Sequence, residues 1–317
     1  MLRSLGKTDI RITSIGLGCW QFSEGFGLVG GFWSALPQET VNEIVGAALE
    51  GGIHWFDTAE AYGKGRSERA LSRALQAAGK KSGEVVVATK WMPVGRTARS
   101  IQKTIGARLA ALSPYPIDLH QVHQPYGFSP VEAEMNALAD LVSQMKIRAV
   151  GISNFGASRM RRAHAALAAR GLPLASNQVK YSLLDRRIEK NGVLAAAKEL
   201  GVTLIAYSPL EQGILSGKFH DDPGLIKKSP GPRKWMPAFR AKGLERSRPL
   251  VEELKKIAAA HNVTATQVAL AWLVTFHGDT VVAIPGASRR RHVEENVGAM
   301  KLSLSQLELR RIDALSR

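Results

Sequence analysis

Val85-Val86-Val87-Ala88-Thr89-Lys90 is a short apolar run that ends on a cation. Strand-like runs of this kind recur at Ile15–Gly18, Trp55–Ala59, Asp118–His123, Ala149–Asn154, Asn177–Lys180, Thr203–Ser208 and Val281–Pro285, making eight in all. Each is followed by a helical pattern, and most are spaced by roughly 30 residues, the size of one βαβ unit. Continuous apolar strands alternating with helices imply a parallel sheet covered on both faces. Eight such units favour a closed (β/α)8 TIM barrel over an open sheet. In that architecture the chemistry sits on loops at the C-terminal ends of the strands.

The helices between the runs have physical support. Ala70, Leu71, Ala74, Leu75 and Ala78 share one face after a cap at Ser67, with Gly79 at the end. Ile101, Ile105, Leu109 and Leu112 make a second stripe. Thr264 and Gln267 have capping-box spacing ahead of a well-buried helix through Val268–Val274. The helix upstream starts at Ser247, with Pro249 in its first turn. Residues 1–13 read as a small N-terminal hairpin that could close the barrel floor. Strands 7 and 8 are separated by a long loop, in which Asp221–Gly243 is rich in Pro, Gly, Lys and Arg without helical periodicity. The whole chain, 1–317, is expected to form one domain.

Composition narrows the classes. The 317 residues are 45% hydrophobic, which excludes disordered and fibrous chains. No stretch approaches the ~18 uncharged apolar residues of a membrane span, and the N-terminus has no apolar leader, so a cytoplasmic protein is expected. Cys19 is the only cysteine, so no intrachain disulfide can form and no cysteine cluster can hold a metal. The net charge of +16 raises affinity for polyanions: nucleic acid, an acidic membrane face or a phosphorylated cofactor.

Four titratable groups converge on one rim of this barrel. Asp57 and Lys90 end the second and third strands, Tyr62 follows Asp57, and His123 ends the fourth. Singly each has an ordinary explanation: a helix cap, a loop aromatic, a core histidine. Together they suit carbonyl reduction, which needs a proton for the developing alkoxide while hydride reaches carbon. Lys90 would be the ammonium that lowers the pKa of the Tyr62 phenol, and Asp57 its counter-ion. His123 would donate a hydrogen bond to the carbonyl oxygen, and Tyr62 would be the general acid. No metal is required.

Asp57-Thr58-Ala59-Glu60-Ala61-Tyr62-Gly63, Ala88-Thr89-Lys90 and Gln121-Val122-His123 resemble the active-site motifs of the aldo-keto reductase family. The resemblance runs in order from Gly16-Leu17-Gly18 through Gly151–Phe155, Asn177-Gln178, Tyr207–Leu210 and Ile284–Gly286 to Glu295-Asn296. It implies an NADPH complex without a Rossmann fold. No Gly-x-Gly-x-x-Gly opens a helix after the first strand, and Gly25, Gly27, Gly30 and Gly31 belong to a flexible loop.

By position, Ser153, Asn154 and Gln178 resemble the residues that hold the nicotinamide carboxamide, and Tyr207 the aromatic that stacks on its ring. Ser208, Leu210, Gly213 and Lys218 resemble the pyrophosphate-binding segment, although Gly213 and Gly217 could be simple turns. Gly286, Ser288, Arg289, His292, Glu295 and Asn296 resemble the segment around the 2′-phosphate, which favours NADPH over NADH. The best-known members carry lysine after the proline and arginine at the position of His292. This chain has Gly286 and His292 there, which leaves Arg289 as the 2′-phosphate ligand. Trp20, Trp91 and Tyr126, with Phe32, Trp33 and Phe128 in rim loops, suggest an apolar, partly aromatic substrate pocket. Trp55, inside a strand, belongs to the barrel packing instead.

Two other readings remain open on sequence alone. Potassium-channel β subunits keep cofactor and catalytic residues on such a barrel yet act on a channel; this sequence lacks their long N-terminal extension. A nucleic-acid-binding protein would use Arg159-Met160-Arg161-Arg162, Lys227-Lys228 and Arg289–Arg291, but these lie in different units with no motif joining them. Neither a nucleic-acid nor a membrane partner is expected. The carbonyl substrate and the oligomeric state are not legible.

Overall fold

Side chains alternate across a strand, and that alternation decides which residues reach the barrel axis. The computed structural model describes residues 2–27, 32–228, 231 and 235–317. The chain opens with an antiparallel hairpin, β1 (Leu2–Ser4) and β2 (Arg11–Thr13). Eight parallel strands follow: β3 (Leu17–Gly18), β4 (Trp55–Asp57), β5 (Val86–Trp91), β6 (Leu119–Val122), β7 (Ala149–Ser153), β8 (Leu174–Lys180), β9 (Thr203–Tyr207) and β10 (Val281–Ala283). They pair in sequence order from β3 to β10. The two ends then meet through parallel bridges from Ile15 to Ala283 and from Gly18 to Gly286, so the sheet closes into the expected (β/α)8 barrel.

Along each strand the axial side chains change character at a spacing of two. Trp55, Ala88, Leu119 and Ile205 pack together low in the barrel. Asp57, Lys90, Gln121 and Tyr207, each two residues further on, therefore also face the axis and arrive at the C-terminal rim. Leu5, Ile10 and Ile12 of the hairpin join the lower cluster and close the floor. The Trp55 indole donates to Thr13 O at 3.0 Å, tying that plug in place. A Cβ on Gly16 would lie 2.2 Å from the Trp55 ring, so only glycine leaves room for the indole.

The outward side chains of the strands pack with the helices in a second, larger core. The Thr264–Gln267 capping box forms as expected, and the helix Ala265–Thr275 that it starts is almost wholly buried. Among the described residues no single helix is long and apolar enough to cross a membrane.

Several boundaries differ from the sequence reading. The helix expected to be capped by Ser67 runs Arg66–Ala77 with Gly65 at its N-cap. Ser67 lies inside the helix, where its hydroxyl donates to Cys19 O at 2.6 Å and meets Thr58 Oγ1 at 2.8 Å. The helix expected from Ser247 begins at Ala241 and runs to Ala260, with Pro249 in its interior. The Ser247 hydroxyl back-bonds to Gly243 O and Leu244 O at 3.2 Å instead of capping. The long loop before it holds short helical turns at Pro223–Ile226 and Pro237–Phe239. Its residues 229, 230 and 232–234, like Gly30 and Gly31, lie outside the described residues.

Candidate active site

The end of β5 delivers Lys90 to the axis with no solvent exposure, and the end of β4 delivers Asp57 with 1%. An ammonium has three protons to donate. Lys90 Nζ directs them to Asp57 Oδ1, to Thr58 O at 2.8 Å and to the Tyr62 hydroxyl oxygen at 3.4 Å. The second Asp57 oxygen accepts from Gln121 Nε2 at 3.0 Å and Gln178 Nε2 at 2.9 Å. The buried pair is thus saturated on every side, the condition under which buried charge is tolerated. Because Lys90 donates to the phenol oxygen, the phenol proton is left to point elsewhere.

Electrostatics at Tyr62 run in both directions. Burial pushes the phenol up, the Lys90 ammonium pulls it back, and Asp57 pushes it up again. The net direction is upward, so the lowered phenol pKa expected from the sequence is not reached: desolvation outweighs the ammonium. At Lys90 burial favours the neutral amine, but Asp57 and Tyr62 outweigh it and the ammonium titrates above its ordinary range. His123 stands edge-on to Tyr62 with ring centroids 5.6 Å apart. Burial, then the neighbouring Lys90 charge, pulls its imidazole down to about 3. It is therefore neutral near pH 7, and its buried Nδ1 has no partner among the described residues. A neutral imidazole and a buried phenol on one rim can both donate to the oxygen of a bound carbonyl.

The carboxamide-binding candidates gather beside this quartet. Asn154, in left-handed conformation at φ 65°, donates to Ser153 Oγ at 3.1 Å and His123 O at 3.3 Å, and accepts from the Tyr207 hydroxyl at 3.0 Å. Gln178 departs in part from its expected role. Its amide nitrogen is committed to Asp57, which leaves its carbonyl oxygen for a ligand.

After β9 the backbone is strained. Ser208, Glu211 and Gln212 take φ values of 50°, 46° and 54°, followed by Gly213 at 99°. Left-handed residues of this kind turn backbone N–H groups into anion-binding concavities. Glu211 is anchored from behind by Lys180 Nζ at 2.6 Å, and Leu210 packs against the outer core. Lys218 lies across Gly213. It also acts on His292, whose imidazole is pulled down by burial and then by Lys218, Arg289 and Arg291. The segments after β9 and β10 therefore meet as one concentration of positive charge.

The three arginines of the second segment are not equivalent. Arg290 pairs with Glu50 at 2.7 Å and Glu294 at 3.0 Å, and Arg291 pairs with Glu295 at 3.3 Å. Arg289, at the N-cap of the helix Arg290–Lys301, forms no ion pair among the described residues. Glu295 is thereby occupied by Arg291, while the buried Asn296 keeps an amide nitrogen without a partner among the described residues. The Ser288 N–H points to His292 Nδ1 at 3.3 Å. Gly286 packs against Gln21, where a Cβ would fall 2.3 Å from Oε1. The Glu211 and Gly213 N–H groups are bonded within the turn, to Ser208 O and Leu210 O. The unpaired Arg289 guanidinium, the orphaned Asn296 donor and the Lys218 ammonium beside the left-handed turn fit a phosphorylated dinucleotide.

Of the substrate candidates, Trp20 stacks against Tyr62 at 6.1 Å and meets Phe32 and Trp33 at 5.3 and 5.9 Å, forming an aromatic wall beside the phenol. Trp91 does not line the pocket. It follows the inward-facing Lys90, so alternation turns it outward into the helix layer, where its indole donates to Ser100 Oγ at 3.0 Å. Tyr126 and Phe128 stand out from the rim, 69% and 75% exposed. Gln121, which braces Asp57, was missed as a site residue; its place two positions before His123 on the same strand face was the available signal.

The sequence model of the aldo/keto reductase family matches residues 14–317. An uncharacterized oxidoreductase of Mycobacterium bovis is 39% identical over 295 residues, covering 93% of this chain and 86% of that protein. A pyridoxal reductase of Arabidopsis thaliana is 33% identical, covering 94% and 82%. An NADP(+) aldo-keto reductase of Schizosaccharomyces pombe is 31% identical, covering 91% and 86%. Among solved structures, the glycerol dehydrogenase of Gluconobacter oxydans superposes with a TM-score of 0.84 at 27% identity, covering 99% of this chain and 94% of that one. A thermostable aldo-keto reductase in complex with the inhibitor epalrestat superposes with a TM-score of 0.76 at 29% identity, covering 99% of each. The motif order, the closed barrel and these likenesses agree: the chain is an oxidoreductase that belongs to the aldo/keto reductase family.

Proposed function

We propose that the protein reduces an aldehyde or ketone to the alcohol with NADPH, with Tyr62 as general acid. The observation that carries this reading is the donor pattern at Lys90. Its third hydrogen bond reaches the phenol oxygen, so the proton of Tyr62 is free for the substrate and the ammonium stabilises the phenolate left behind. Bound NADPH would supply the hydride. Ser153, Asn154, Gln178 and Tyr207 would hold its nicotinamide, the segment Ser208–Lys218 its pyrophosphate, and Arg289 with Ser288 and Asn296 its 2′-phosphate end. His123, kept neutral by burial, would orient the carbonyl oxygen. The Trp20, Phe32 and Trp33 wall favours carbonyls with an apolar or aromatic body.

Support for a polyanion-binding role is weaker. Arg161 and Arg162 pair with Glu199 and Glu132 on neighbouring helices, which consumes much of the local charge.

A panel of carbonyls followed by NADPH absorbance tests the proposal. It should include aryl aldehydes and steroid-like ketones and, because of the relatives' names, pyridoxal, with glycerol and NADP+ testing the reverse direction. At least one should be consumed at an ordinary enzyme rate, on the order of 1 to 10³ per second. NADPH binding without turnover of any of them would favour the channel-subunit type of role.

A further inference from the structure

Thr89 and Lys90 leave one strand in opposite directions, Lys90 towards the axis and Thr89 towards the helix Arg66–Ala77. Behind the strand Thr89 Oγ1 donates to Glu68 Oε1 at 2.6 Å. Glu68 Oε2 meets Arg108 Nε at 3.0 Å, and Arg108 Nη1 donates to Glu60 Oε2 at 3.1 Å. Glu60 Oε1 accepts from the Met92 N–H at 2.6 Å and from Arg96 Nη1 at 2.5 Å. The Glu60 N–H donates to Lys90 O at 3.2 Å. A chain of ionic contacts thus starts behind Lys90 and ends in the loop two residues before Tyr62. Thr89 and Glu68 are fully buried, and Glu60 is 8% exposed. The chain is closed over by Gly65, at φ +83°, where a Cβ would lie 3.1 Å from Arg108 Nη2 and 3.2 Å from Glu68 Oε2.

We propose that Glu68, Arg108 and Glu60 are positioning residues for carbonyl reduction, fixing the Tyr62 loop against the Lys90 strand so that ammonium and phenol stay in contact. The proposal rests on the general-acid reading of Tyr62. The contact at stake is already long, at 3.4 Å, so a small slip of loop against strand would break it. Arg108 suits the task because its guanidinium reaches both carboxylates: Nη1 hydrogen-bonds to Glu60, while Nε stands 3.0 Å from Glu68 Oε2 as an ion pair without hydrogen-bond geometry.

The chain also has a place to titrate. Burial pushes Glu68 up to about 7, against the downward pull of Arg108 and Thr89; Glu60 pushes it up further and Arg69 pulls it down. From β6, His120 is buried close to Arg108 and held down at about 4, so it adds no charge above that pH. Near neutrality the chain therefore exists with Glu68 either ionised, gripping Arg108, or protonated and slack. A carboxyl raised on folding stabilises the protein most below its unfolded value and loses that contribution as pH rises through the folded one. The window runs from about 4.5 to about 7. The gripping form is thus the less stable of the two.

The test is kcat against pH from 6 to 8.5 at saturating NADPH and carbonyl. Wild type should gain about three- to tenfold through a midpoint near pH 7, below the ~10²-fold that a full 1 Å misplacement can cost. Glu68→Gln should stay flat at the low-pH level with KM for the carbonyl unchanged. Thr89→Val, which removes only the hydroxyl donor, should lose part of kcat, and Thr89→Ser should restore it. These two also decide the matter if Glu68→Gln does not fold. A Glu68→Gln enzyme that keeps the pH 7 step, or Thr89→Ser no better than Thr89→Val, would overturn the proposal. Tyr62→Phe separates the two layers: wild-type turnover in it removes the general-acid reading and this proposal together. If Tyr62→Phe is inactive while Glu68→Gln keeps the step, the positioning role alone fails.

Discussion

The floor of the barrel is closed by Leu5, Ile10 and Ile12 packed on Trp55, Leu119 and Ile205, whereas two residues further along the same strands the rim holds Asp57, Gln121 and Tyr207. Both ends are buried, but by different physics. The floor gains by removing apolar surface from water, at ~25 cal/mol per Å², and asks only for shape. The rim buries an ammonium and a carboxylate, which is tolerable only because each donor and acceptor has a partner. The floor can therefore lose stability without losing chemistry, while the rim cannot lose one partner without losing both.

The largest expected effects separate the two ends. Lys90→Met leaves Asp57 buried beside two amides and no cation. It should cost ~3–5 kcal/mol in urea unfolding and abolish carbonyl reduction even in the folded fraction. Trp55→Ala should cost a similar ~3–5 kcal/mol through the cavity left in the floor, yet leave kcat of the folded protein near wild type. A kcat loss in Trp55→Ala matching that of Lys90→Met would erase the distinction between floor and rim.

Next in size is the far side of the rim. Arg289→Ala should weaken NADPH by roughly 10- to 10²-fold, the loss of charged hydrogen bonds worth ~1.5–3 kcal/mol. NADH, which lacks the 2′-phosphate, should bind within a factor of about two of wild type. Equal losses for both cofactors, measured by fluorescence titration, would place that phosphate elsewhere. Smaller still, Thr264→Ala removes the N-cap of the helix Ala265–Thr275, which carries none of the four catalytic candidates, and should cost ~1 kcal/mol of stability. It should leave turnover unchanged.

Much of this contrast was legible in the sequence because it depends on local periodicity. Eight apolar runs, most of them roughly 30 residues apart, give the barrel, and a period of two carries Trp55 to the floor and Asp57 to the rim. The capping box at Thr264 and Gln267 is likewise a four-residue signal. What failed depends on partners distant in the chain. Ser67 looks like a cap, but its hydroxyl is claimed by Cys19 O, 48 residues away. Trp91 adjoins a site residue in sequence and for that reason points away from it in space. Gln178 was assigned to a ligand, yet Asp57, 121 residues earlier, takes its amide nitrogen. The upward net shift at Tyr62 was equally hidden, since residue identities reveal the neighbouring cation but not the depth of burial opposing it.

The mildest prediction concerns protonation. With its imidazole held down at about 3, His123 should show ring resonances that do not move between pH 5 and 8. A titration with a midpoint near 6.5 would mean that the rim is wetter than described.

The most direct measurement is kcat of Tyr62→Phe on the best carbonyl at saturating NADPH, with cofactor affinity determined in parallel. Loss of the phenol proton with the ring retained should lower kcat by roughly 10² to 10⁴ while NADPH binding stays near wild type. Turnover equal to wild type would contradict the assignment of Tyr62 as the acid.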